Sequence, residues 1–253
     1  MTSEPAAMSP WLAVATMVVT LLLLLWVTRW LTLHLQILGL RWLNDPDVVL
    51  WVYFALILPG VALHELSHWL MALLLGVPAS LPTLGPALKS QRGGKVTLGS
   101  VQTAKVDPLR SILIGLAPLL AGSTVIFLIG AHVLGVGELT AQGLDGFLAG
   151  LGDLLRVPDI WLWLYLIFAV SSAMLPSEAD MQQVLPVLIF VGIVAVVAVI
   201  VVGFPNVPPA IVNGVSAFAA YLASAFTLTL AVDAVFMLVI GLLGLLTGAL
   251  KPR

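Results

Sequence analysis

The chain contains no cysteine. That absence excludes disulfides, thiolate nucleophiles and thiolate metal ligands, so any metal would be held by nitrogen and oxygen. Charge is nearly as scarce: 9% of the 253 residues are charged, against roughly 25% in a typical soluble domain. Hydrophobic residues make up 61%, more than one water-soluble core of this size can hide. Lipid is therefore the expected solvent. The net charge of −2 gives no hint of a nucleic-acid partner. The first ten residues carry Glu4 and no Lys or Arg, so the first apolar run lacks the basic leader of a signal peptide and reads as a retained span.

About 20 apolar residues in a helix cross the hydrocarbon core. Six stretches are candidates by that measure: Trp11 to Val27 (continuing past Arg29 towards Leu38), Val48 to Gly76, Leu109 to Val136, Ile160 to Leu175, Val184 to Phe204, and Val215 to Leu250. The last is long enough to be tilted or broken in two. Neither an internal repeat nor a low-complexity linker interrupts the chain, so residues 1–253 read as a single membrane domain. The expected fold is an all-α polytopic membrane protein of about six transmembrane helices.

One connection departs from that pattern. Residues 77–110 are polar, punctuated by Pro78, Pro82, Pro86 and Gly93-Gly94. Lys95–Leu98 and Val101–Val106 alternate polar and apolar residues, Gln91–Gly94 reads as a turn, and Gly99-Ser100 offers room for a bulge. The pattern predicts a small β-hairpin or sheet in this loop after the second span. Orientation follows the distribution of Lys and Arg. Six crossings with both termini cytoplasmic place Lys89, Arg92, Lys95, Lys105, Arg110, Lys251 and Arg253 inside, and Arg29, Arg41 and Arg156 outside. The acidic, Gly-rich connection from Gly137 to Asp159 then falls outside.

The second span holds His64-Glu65-Leu66-Ser67-His68. A carboxylate near mid-membrane costs on the order of 2.5–3.5 kcal/mol even on insertion scales, and three polar side chains in one span need partners. On a helix His64 and His68 share a face one turn apart, where both imidazoles can reach one Zn²⁺. Glu65 beside them can take a proton from a water that the metal has acidified as that water attacks a carbonyl. A buried His–Glu hydrogen-bond network without metal would also satisfy the polar groups; a proton relay in a transporter would too, but it does not call for this spacing.

A catalytic zinc needs a third protein ligand and one open position. His132 lies towards the far end of the third span and His34 near the outer end of the first, both at unsuitable depth. Asp233 sits in the last apolar stretch, where a helix-packing hydrogen bond to Thr229 is the plainer reading. The Glu178/Asp180 pair alone is both acidic and delivered to the same end of the membrane as the histidines.

The zinc helix resembles that of the site-2 protease family of intramembrane metalloproteases. In that family a later helix brings an aspartate ligand after an Asn-x-x-Pro stretch ending in Leu-Asp-Gly. Here Ser172 stands eight residues before Asp180, at the family's Asn-to-Asp interval, with Pro176 between them. The resemblance therefore implies Asp180, rather than Glu178, as the third ligand. Ala117-Pro118-Leu119-Leu120-Ala121 echoes the family's Gly-Pro-x-x-Asn stretch, and the polar loop resembles its membrane-associated sheet. Leu-Asp-Gly has become Ala179-Asp180-Met181, and Ser172 replaces the Asn.

What the resemblance implies is a zinc endopeptidase of the lipid bilayer that cuts transmembrane protein substrates, with metal ligands His64, His68 and Asp180 and Glu65 as base. The competing reading is a non-catalytic relative serving as a membrane scaffold or partner-binding subunit. Pro59-Gly60, one turn before His64, is expected to kink or loosen the zinc helix, and Ser67 to bond within its own helix. The alternating stretches of the loop suggest a strand edge that could hold an extended substrate.

Overall fold

The computed structural model describes residues 9–89, 95–135, 156–175 and 208–248. It is mostly helical: α1 spans Pro10–Leu43, α2 Pro46–Leu74, α3 Pro108–His132, α4 Ile160–Met174 and α5 Pro209–Leu246. A two-stranded antiparallel sheet, β1 (Thr83–Lys89) and β2 (Lys95–Ser100), separates α2 from α3. Three of the long helices, α1, α2 and α3, start where the sequence supplies an acceptor followed by proline. Ser9 precedes Pro10, Asp45 precedes Pro46 and Asp107 precedes Pro108, and each cap side chain accepts from the first turn. Proline there loses nothing, because the first-turn amides have no helical partner.

Four helices, α1, α2, α3 and α5, are long and apolar enough to cross a membrane. Their outward faces are apolar: Trp11 is 84% exposed and Leu238 68%, a surface that lipid and not water would cover. Both terminal helices are unbroken. α1 continues through Arg29 to Leu43, and α5 is one helix of 38 residues. Among the six expected spans, Val184 to Phe204 lies outside the described residues.

α4 has only 15 residues. Its five consecutive residues Ile167 to Ser171 are all buried, which a helix achieves only when neighbours surround it on every side. α2, α3 and α5 pack around it, and its Phe168 stacks on Phe236 of α5 with ring centroids 4.2 Å apart.

Side-chain contacts fix the helix directions. Arg41, ending α1, donates to the Gly248 carbonyl just past α5, and Trp30 lies beside Gly241, so α1 and α5 run parallel. α4 runs against α5, with Ser171 bonded to Asp233 and Phe168 stacked on Phe236. The C-terminal end of α5 therefore faces opposite to the start of α1. Six single crossings would instead have put the two ends on one face.

The small antiparallel sheet forms within the expected loop, and the expected turn at Gln91–Gly94 lies outside the described residues. β2 pairs with β1, from Thr83↔Ser100 to Lys89↔Lys95, and Val101–Val106 contributes only the bridge of Thr103 to Ala79. The irregular step lies between Leu84 and Ala87 rather than at Gly99-Ser100. Pro86 accounts for it, since proline cannot donate to the ladder, and Gly85 takes φ +136° there. The sheet lies along α2. Leu98 packs on the cluster of Tyr53, Phe54, Ile57 and Val61, Gly99 touches Glu65, and Gly85 approaches Trp51. Those contacts cover about 20 Å of helix.

Candidate functional site

α2 and α4 meet in parallel at a constant register. Tyr165 donates to the Leu56 carbonyl at 3.0 Å, Gly60 lies against the Ala169 carbonyl, and His64 Nδ1 reaches the Ala173 carbonyl at 2.6 Å. Each successive pair lies one helical turn further along. Gly60 is the closest approach, where a Cβ would run into the Ala169 carbonyl and lie 3.0 Å from Ala173 Cβ. At Pro59-Gly60, the site of the expected kink or loosening, α2 runs on as one helix, and the missing side chain of Gly60 lets two backbones touch. On α3, Gly122 instead makes room for the Met174 side chain, since an added Cβ would lie 2.5 Å from Met174 Cβ.

That packing ends α4 beside the His-Glu-x-x-His turn. The last four carbonyls of a helix have no partner within it, and in an apolar interior each one needs a donor. Ala173 finds its donor in His64. His68 is held in the same manner from the other side, its Nδ1 2.8 Å from the Ile114 carbonyl of α3. A carbonyl only accepts, so both Nδ1 atoms carry the proton. Both Nε2 atoms then present lone pairs, and they face each other at 3.1 Å. The rings stand at 82° to one another.

Two facing lone pairs repel unless an electrophile joins them. A shared proton could do so, with the buried Glu65 carboxylate nearby, and so could a metal cation bonded to both nitrogens. Two metal–nitrogen bonds of about 2.0–2.1 Å at a near-tetrahedral angle hold their nitrogens about 3.3 Å apart, close to the spacing seen. The donor set, neutral imidazoles oriented by backbone carbonyls, is the usual dressing of a metal-binding histidine pair. His64 and His68 thus match two of the three protein ligands that a catalytic zinc ion needs.

Glu65 is buried, at 7% exposure. Its side chain lies under β2, close enough that a Cβ on Gly99 would fall 2.7 Å from Cγ and Oε1. Ser67 donates to the His64 carbonyl at 2.7 Å, the local bond expected of it.

The remaining candidates separate from this site. His132 Nδ1 bonds to Leu128 O at the exposed end of α3, and His34 stacks on Trp30 with its Nδ1 on that residue's carbonyl. Asp233 is fully buried, but its partner is Ser171 of α4 at 3.0 Å; Thr229 turns back to Ala225 O. Asp180 and Glu178 lie outside the described residues. Among the described residues no three His, Asp or Glu side chains converge on one point. The Ala173 and Ile114 carbonyls and the Gly99 contact were missed from sequence, since backbone acceptors carry no residue signature. No protein-family model matches the chain, nor does any curated protein or solved structure.

Proposed function

We propose that the chain is an intramembrane zinc endopeptidase of the site-2 protease type that cleaves transmembrane protein substrates within the lipid bilayer. The observation that carries this reading is the His64–His68 pair, with both Nδ1 atoms bonded to carbonyls and both Nε2 atoms converging at 3.1 Å beside a buried carboxylate. His64 and His68 supply two nitrogen ligands, and Asp180 is proposed as the third. Bound zinc would supply the Lewis acidity that readies a water for attack on a peptide carbonyl. Glu65 takes the proton from that water at its carboxylate and passes it to the leaving amide nitrogen. The apolar walls of α2, α3 and α4 keep bulk water from the site. A span that unwinds near Glu65 can lie along an edge of the β1–β2 sheet, held by main-chain hydrogen bonds.

We place the α2–α3 connection, with Lys89, Arg92, Lys95, Lys105 and Arg110, on the cytoplasmic side together with the start of α1. The end of α5 then lies on the far side. The decisive experiment pairs metal analysis of purified protein with cleavage of a reporter span. Wild type should hold about one zinc and cleave; Glu65→Gln should hold the metal and not cleave. Undiminished cleavage by Glu65→Gln removes the base assignment. Wild type that binds zinc but cuts no membrane substrate points to the scaffold role instead.

A further inference from the structure

In an α-helix the carbonyl of residue i accepts from the amide of residue i+4. For Ile114 in α3 that position is Pro118, which has no N–H. Its ring also crowds the carbonyl four residues earlier and pushes it off the helix axis. Pro118 is fully buried inside α3, so the Ile114 carbonyl is orphaned where water is not at hand to satisfy it. The donor that fills it comes from another helix: His68 Nδ1, 2.8 Å away and buried. That bond puts the proton of the His68 ring on Nδ1 and leaves Nε2 as the lone pair aimed at His64 Nε2.

We infer that Pro118 is a positioning residue for the histidine pair: by withholding an amide from Ile114 it reserves that carbonyl for His68, and so sets the tautomer and direction of the ring. His64 receives the same service from a different source, the end of α4 at Ala173. The two rings are thus held by two unrelated interruptions of helical hydrogen bonding. The consequence for metal affinity rests on the zinc reading above, whereas the consequence for the tautomer does not.

The test is Pro118→Ala, which restores the amide, read in the metal-free protein by histidine ¹⁵N NMR and then by zinc titration against a competing chelator. His68 should lose its pure Nδ1–H signature, because Ile114 now has a helical donor. His64 should keep its own, since its acceptor lies on α4. Zinc affinity should fall about 10-fold or more, the usual consequence of losing an orienting partner. An unchanged His68 tautomer, or an equal change in both rings, overturns the inference. Should Pro118→Ala fail to fold, the carbonyl ¹³C shift of Ile114 in wild type and in His68→Ala decides the matter. It must move when the ring is removed, and a static shift overturns the inference. Wild type that takes up no zinc would sink the metal reading while leaving the tautomer comparison intact.

Discussion

Gly60 is the position where one methyl group should do most damage. Its backbone touches the Ala169 carbonyl of α4, and an added Cβ would also press on Ala173 at 3.0 Å. Both neighbours are helix atoms that cannot rotate away, so Gly60→Ala must push α2 and α4 apart. Four residues on, the same pair of helices is joined by the 2.6 Å bond from His64 to Ala173. A separation of about 1 Å stretches that bond beyond hydrogen-bond range. Two costs follow: overpacking of about 1–3 kcal/mol in stability, and loss of the group that orients His64, worth about 10–100-fold in metal affinity. Zinc titration with a competing chelator, beside thermal unfolding in detergent, separates the two. Gly214→Ala in α5 serves as the control, because a methyl there meets nothing within 4 Å. If Gly60→Ala binds zinc as wild type does, then the α2–α4 contact does not set the histidine geometry and the reasoning fails.

Gly99→Ala should push the Glu65 carboxyl aside, since its Cβ would fall 2.7 Å from Cγ and Oε1; kcat should drop while bound zinc stays normal, and an unaltered kcat would refute the contact. Single cysteines at Ser9 and Ser80 should label from one face of the membrane and at Thr247 from the other, as the parallel course of α1 and α5 requires. The natural chain has no thiol to confuse the readout, and labelling of all three from one face would contradict the helix directions. Asp180→Ala should weaken zinc retention more than Glu178→Ala, and the reverse order would move the third ligand to Glu178.

The sequence by itself determined the solvent, the helices and the chemical group most worth examining. Composition required lipid, because no core of this size hides so many apolar residues. Apolar runs starting near Trp11, Val48 and Leu109 placed three helices to within a few residues, and the spacing of His64 and His68 placed both rings on one face. These are local signals, each set within a few residues of chain. What spans the fold could not be read that way. The register of β1 against β2, with its irregular step between Leu84 and Ala87, depended on how the two strands met across the loop. The direction of α5 was decided by packing against α1 and α4, since a count of apolar stretches says nothing about which helices lie parallel. The orientation of the two histidines came from carbonyls 46 and 109 residues away in the chain. A backbone acceptor looks the same at every residue, so only the meeting of three helices could say which two would hold the rings.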